Sequence, residues 1–580
     1  MWLSVALLIA CSEADPDPDP TEPVCSDTWD GWAEGFLRTW CTSCHSSGLA
    51  LGQRYGAPLG LDFDTYAGTV EHADRIVAAA TGEDPRMPPV GLASPSERAR
   101  LAAWIACGMP GSEPAPVPGC GDDPEVIEQE LTIGSSLDAE ALCPEGGGSV
   151  HLRGDLLVRS DAPLRCLCEV EGSVEIVQGE EVDLSRLARI GGDLVASDTP
   201  LASLELSSLE SVGGSVIFEL LPQLGEVRLP WLVTVGGGVR IVHLALADRV
   251  DLSRLESVGG RLELSDIPNF RTLLGEGYAL REIGGDLLLS NLDAWFGFYG
   301  FANLERIGGV LRIVDNDRIS NLSGFTLLQQ ARGIELSGNG NLQILDGFDT
   351  LPVLAGDLRI ESNPSLIREE SFAALRDVVG TVSVRDNLSL SSLEGLEGLT
   401  SVGALQLSGN TALGTIEGWA LAEVDGELVI DGNTALTSVW AFPELTRVGG
   451  TLKITGSDQL STLMGLDVLG VVGGDLVLDD LASLSDLPPI PALSVIGGSV
   501  RIVGSGLSGL DGLASLSVIG GLQLSANTAL VELDALHGLS HVQGDLQIVD
   551  NVALDPVEVQ ELIDAIDVID GSIVTGGNGG

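Results

Sequence analysis

The sequence predicts a multidomain protein in which a small all-α domain precedes a long β-solenoid of stacked coils. Two observations carry this. The first part of the chain spaces Trp, Phe and Leu at helical intervals. Beyond it glycine keeps a clock, at Gly154, Gly172, Gly192, Gly214, Gly237, Gly260, Gly285, Gly309, Gly333, Gly356, Gly380, Gly403, Gly426, Gly450, Gly474, Gly498, Gly521, Gly544 and Gly571, with most intervals 22 to 25 residues. A unit that short cannot bury a core of its own, so neighbouring units must stack.

Composition sets the limits. Of 580 residues 44% are apolar but only 4% aromatic, which favours a repeat array over several ordinary domains. A positive mean hydropathy supplies enough apolar surface to offset chain ordering, which excludes disorder. The 75 glycines lack the every-third-residue period of collagen. With 84 acidic against 29 basic residues and a net charge of −55, the chain repels phosphate backbones and anionic lipid surfaces, so nucleic acid is not an expected partner.

Residues 1–10 form an apolar stretch too short to span a bilayer and read as an export signal. Leu8-Ile-Ala-Cys11 resembles the lipobox of bacterial lipoproteins, although no Lys or Arg precedes it. The resemblance implies cleavage before Cys11 and lipid on its sulfur. Ser12 after that cysteine implies, by the same resemblance, passage to the outer membrane of a Gram-negative cell, facing the periplasm or the cell surface. Residues 11–24, acidic and Pro-rich, make an extended tether.

Residues 25–112 carry the sharpest chemical motif. Cys41-Thr-Ser-Cys44-His45 is the C-x-x-C-H pattern of covalent haem c attachment: two thiols to bond the vinyl groups, and an imidazole placed to ligate the iron. Met87, 42 residues beyond His45 in Arg86-Met87-Pro-Pro89, is the expected second axial ligand, with His72 as its competitor. Trp29, Trp32, Phe36, Leu37 and Trp40 predict a helix before the motif, and Ser94-Pro-Ser-Glu97 caps a second whose apolar face is Leu101, Trp104 and Ile105. This segment resembles a small c-type cytochrome, which implies an all-α domain with one haem iron engaged in electron transfer.

Nine cysteines, less Cys11, Cys41 and Cys44, leave six for disulfides in an oxidising compartment. Cys25 and Cys107 bracket the haem segment and would tie its first helix to its last. Cys120, Cys143, Cys166 and Cys168 admit three pairings, of which Cys166 with Cys168 is the least comfortable.

After a linker at 113–124, residues 125–570 repeat L-x-x-V/I-G-G-x-L-x-I-x-x-N-x-x-L-x-x-L. The alternation after each glycine pair, as in Asp475-Leu-Val-Leu478, predicts a strand of about four residues with two side chains inward. Asn316, Asn339, Asn363, Asn387, Asn410, Asn433, Asn527 and Asn551 follow their glycines by six or seven residues, which predicts a ladder of amides bonded to backbone at the coil corner. The array resembles tandem receptor L domains, the leucine-rich-repeat-like solenoids of insulin-type and epidermal-growth-factor-type receptors. That resemblance implies right-handed coils and a ligand-binding role. Asp555-Pro-Val-Glu558 starts an amphipathic helix suited to covering the last coil, and 571–580 reads as a flexible tail.

No H-E-x-x-H, G-x-S-x-G or P-loop pattern occurs, and Gly504-Ser-Gly-Leu-Ser-Gly509 falls within a coil with no helix after it, so an enzyme is not expected. Rows of aromatics that could grip a polysaccharide are not evident. Trp295, Phe296, Phe298, Tyr299 and Phe301 concentrate aromatics in one short stretch, either a ligand-binding patch or a buried plug. The expected function is one-electron transfer with an unnamed redox partner, the solenoid binding a protein or polysaccharide. The alternative is a surface recognition or adhesion protein whose haem is sensory or incidental.

Overall fold

A computed structural model describes residues 33, 36–37, 63, 69–70, 72–81, 95–109, 120, 124–144, 147–274, 279–295 and 301–579. The chain divides into two units, Met1–Ala115 and Pro116–Gly580. In the first, the described elements are helical. Helix Ala73–Ile76 runs on into a wider π turn at Val77–Thr81, and a longer helix covers Pro95–Ala106. Leu101 and Trp104, on its expected apolar face, are buried, as are Phe36, Leu37, Ile76 and Ala80.

The second unit is a parallel β-solenoid. Each coil supplies one strand to a long sheet that runs from Leu131–Ile133 to Ile573–Gly576, with every pairing parallel. The coil at 447–472 shows the plan. Arg447–Val448 forms a second face, Gly449 and Gly450 turn the corner, and Leu452–Thr455 joins the long sheet. Thr462–Met464 then forms a third face before the chain returns at Val471–Val472. Val448, Leu452, Ile454, Leu460, Leu463, Leu466 and Leu469 all point inward and are buried. Leu452 stands in register with Leu428 before it and Leu476 after it. Parallel strands need a long crossover, and here the rest of the coil is that crossover.

Two corners fix the register. At the first, coils approach so closely that a Cβ on Gly213, Gly236, Gly259, Gly284 or Gly308 would overlap the carbonyl oxygen of the corner glycine one coil earlier. At the second, one residue per coil takes a left-handed conformation, as Asp315 (φ 54°), Gly338 (φ 68°) and Asp386 (φ 55°) do. Asp, Asn and Gly tolerate that region, which explains their recurrence after the strand.

The asparagine ladder follows directly behind this corner, and its members are fully buried. The Asn339 N–H donates to Asn363 Oδ1 at 3.0 Å, while Asn339 Nδ2 donates back to the Ile313 carbonyl at 2.9 Å. Asn363, Asn387 and Asn410 repeat the pattern. Ser457 and Ser505 stand at rungs between Asn433 and Asn527, and Ser505 still donates to Asn527 Oδ1 at 2.8 Å.

The ends differ from expectation. Within the segment expected to be a flexible tail, 571–580, the described residues 571–579 are part of the last coil: Ile573–Gly576 pairs with Leu546–Val549, and Asn578 extends the ladder by accepting from the Asn551 N–H at 3.1 Å. The helix Pro556–Ala565 is therefore the return segment of the last coil and not its lid. Asp555 caps it through the Val557 N–H at 2.9 Å. Near the other end, a helix at Ser136–Leu142 that the repeat pattern does not announce is capped by Ser135. Disulfides Cys120–Cys168 and Cys143–Cys166, with Cα separations of 5.0 and 5.2 Å, select one of the three open pairings and fasten the first coils.

Gly236→Ala is expected to lower stability by about 2 kcal/mol, because backbone atoms of two coils must move apart. Gly414→Ala, with open space at its Cβ, should change it by less than about 0.5 kcal/mol. Denaturant midpoints of the two variants check the contrast.

Candidate functional site

Glycine corners leave a groove. On the second face a nine-stranded sheet runs from Glu125–Ile127 to Arg306–Ile307. Between Glu169 and Gly284 its outer surface and the adjoining corner enclose a groove of about 810 Å³. The floor is backbone at Gly191, Gly213, Gly236 and Gly259, and a column of small hydroxyls, Ser211, Thr234 and Ser257, lines it one coil apart. Arg189 pairs with Glu169 at 3.2 Å towards one end, and Arg306 pairs with Glu282 at 2.7 Å towards the other. Side chains this small on consecutive coils, roughly 4.8 Å apart, leave room for a chain-like ligand lying along the solenoid axis. Sequence reasoning missed this groove. Its signal was present as Ser or Thr two residues before each glycine pair, in Ser211-Val-Gly-Gly214, Thr234-Val-Gly-Gly237 and Ser257-Val-Gly-Gly260.

Part of the outward side of the long sheet, from Glu219 to Glu335, is laced by its own charges. Arg240 bridges Glu219 (3.2 Å) and Glu263 (2.7 Å), Arg261 bridges Glu263 (3.4 Å) and Asp286 (3.3 Å), and Arg312 bridges Asp286 (3.0 Å) and Glu335 (3.2 Å). Burial pushes the Asp286 carboxyl up, but the Val310 N–H, Arg312 and Arg261 outweigh it and hold the group below its ordinary value. Guanidiniums already engaged on both sides are not available to an anionic ligand.

Of the site residues expected from sequence, Cys11, Cys25, Cys41, Cys44, His45, Met87, Phe296, Phe298 and Tyr299 lie outside the described residues. Cys107 is disulfide-bonded. His72 sits just before helix Ala73–Ile76, its ring edge-on to Phe63 at 6.4 Å. Among the described residues no group of three or more His, Cys, Asp or Glu could hold a metal ion, and no helix is long and apolar enough to cross a membrane.

The aromatic patch is corrected where it can be seen. Trp295 is 2% exposed and packs edge-on against Phe270 at 5.6 Å, and Phe301 is fully buried, so neither can grip a ligand. Phe301 instead begins an internal column with Phe325, Phe348 and Phe372, stacked at 5.5, 5.4 and 5.2 Å. An aromatic row thus exists, inside the coil, where consecutive rungs bring rings of matched height together.

One titratable group is out of place. Glu369 is fully buried, in register with Leu345 of the preceding coil, at a position that otherwise takes an aliphatic side chain. Its Oε1 accepts from the Ser371 N–H at 2.8 Å, whereas its Oε2 and the Ser371 hydroxyl have no hydrogen-bond partner. Burial pushes its pKa well above the ordinary glutamate value, and Asp349 and Glu370 add to the effect against the Ser371 and Gly395 N–H groups. The folded state therefore holds this proton more tightly than the unfolded chain. The stability it contributes is present below the ordinary glutamate pKa and is lost as pH rises through the raised value. Glu369→Gln should be more stable than the parent at pH 9, by about 1–3 kcal/mol, and lose that advantage at pH 4. Unfolding midpoints across that range check it.

No protein-family model matches the chain. Among solved structures it is similar to TLR13 in a TLR13–ssRNA13 complex, at 14% identity over 77% of this chain and 83% of that one, with a TM-score of 0.22. A score that low carries no argument about this chain's fold or ligand, and the fold rests on the coil geometry itself.

Proposed function

We propose that this chain is an exported recognition protein whose solenoid holds an extended ligand, a peptide or a polysaccharide, in the groove along its glycine corner. The observation that carries the reading is the run of Ser211, Thr234 and Ser257 over a glycine floor between Glu169 and Gly284. Outward on the long sheet Arg240, Arg261 and Arg312 are engaged by carboxylates, whereas the groove presents small hydroxyls over glycine. The resemblance of the repeat to receptor L domains favours the same role.

A second module fits the N-terminal motif. Cys41 and Cys44 would hold haem c through thioether bonds, and His45 with Met87 or His72 would ligate its iron, a chemistry that supports one-electron transfer with a redox partner. Lipid on Cys11 would keep the protein at the outer membrane. The ligand-binding role is the reading the geometry supports best, and the redox role rests on the spacing of the motif.

Full-length protein made with haem-maturation machinery tests both. Thr234→Arg, which fills the groove, should weaken by at least about tenfold the binding of any oligosaccharide or peptide that the parent retains from an array. Unchanged binding would move the ligand elsewhere. Replacing Cys41 and Cys44 with Ala should abolish covalent haem and leave ligand binding intact, and a parent protein without covalent haem would remove the redox role.

A further inference from the structure

The third face carries a surface of another kind. Thr415–Glu417, Ser438–Trp440 and Thr462–Met464 form a three-stranded sheet in which Glu417, Trp440 and Met464 stand side by side on consecutive coils. Trp440 is 60% exposed and Met464 44% exposed, in a chain that buries Trp295 and Trp419 almost completely. The Cδ1 edge of the indole lies near Gly465 of the next coil, and most of the side chain is open to solvent. Glu417 is exposed on one side of it, and the Glu397 carboxyl lies beside Gly418, whose N–H donates to the Trp440 carbonyl.

The surroundings are mostly acidic, and the Arg376 guanidinium against Gly398 is engaged by the Ala373 and Leu375 carbonyls. Between residues 386 and 500 the chain has two cations, Arg447 and Lys453, against fifteen carboxylates. Arg447 pairs with Glu423 on the second face and Lys453 with Asp431 on the long sheet. Among the described residues neither Glu417 nor Glu397 has an ion-pair partner. The solenoid also shows what it places on an indole elsewhere: the Arg254 guanidinium lies 3.5 Å over the ring of Trp231. Trp440 is exposed with Glu417 beside it in register, in place of a guanidinium.

We propose that Trp440, flanked by Glu417 and Met464, is a docking site for an arginine- or lysine-bearing segment of a partner polypeptide. The cation lies on the indole face, its charge is balanced by Glu417 and Glu397, and its methylene stem rests on Met464. The acidity of the whole chain draws such a segment in, and the row selects where it settles. This site is on a different face from the groove and does not depend on it.

The test uses full-length protein and an acetylated tetra-arginine peptide, titrated calorimetrically at about 150 mM salt so that diffuse attraction is screened. Trp440→Ala should weaken binding by about three- to tenfold, and Trp440→Phe should keep most of it. Glu417→Gln should weaken binding and flatten its salt dependence, whereas Glu175→Gln, at the other end of the solenoid, should stay within about twofold of the parent. Matching thermal unfolding curves exclude loss of fold at these exposed positions. Binding by Trp440→Ala equal to that of the parent would overturn the proposal. So would equal losses in the two Gln variants, which would mark diffuse attraction only, or displacement of the peptide by a neutral oligosaccharide, which would make the row a sugar platform.

Discussion

Everything in the second unit depends on in-register stacking of coils that cannot fold alone. A coil of this length has room for one layer of inward side chains, and the backbone N–H and C=O groups of its strands find partners only on the coils above and below. Leu452 must therefore lie at the height of Leu428 and Leu476, and the same holds at every inward position. The glycine corner lets backbones approach to hydrogen-bonding distance, the left-handed corner turns the chain out of the sheet, and the asparagines satisfy the carbonyls which that turn leaves without partners. The phenylalanine column and the disulfides at the first coils are further consequences of the same stack.

The constraint acts inward and leaves the outward positions free, which is where function can be written. Three faces of one repeat have been used in three ways. On the long sheet the outward residues neutralise one another, from Glu219 to Glu335. On the second face they shrink to hydroxyls beside bare glycine, which opens a groove. On the third face they give an exposed indole between a carboxylate and a thioether. Glu369 enters the core, and it carries an unpaired oxygen there as a result.

Much of this was legible in the sequence because a strict period reports a repeated environment. The glycine clock gave the coils, the alternation gave the inward leucines, and the asparagines all fell where the ladder needs them. What escaped notice was non-local. Phe301, Phe325, Phe348 and Phe372 are 24, 23 and 24 residues apart, yet their stacking becomes visible only when the period is read column by column. Trp295 and Phe301 seemed a patch because they are close in sequence, whereas each packs with a ring one coil away. The last strand was hidden by its glycines, which resemble a flexible tail but serve as corners. The cysteine pairing depended on which coils lie together, and composition holds no trace of that. The C-x-x-C-H spacing from Cys41 to His45 is legible in the sequence alone and lies outside the described residues.

The most direct test of the stacking account is a pair of deletions in the full chain. Removing residues 428–451 takes out one whole period and brings Leu452 into the place of Leu428, so the solenoid should close over the gap, keep its β-sheet circular dichroism and unfold at a modestly lower denaturant concentration. Removing residues 428–439 shifts every later inward position against its neighbour and should abolish cooperative unfolding. Equal tolerance of both deletions, or equal collapse, would contradict a solenoid held together by coil-to-coil register.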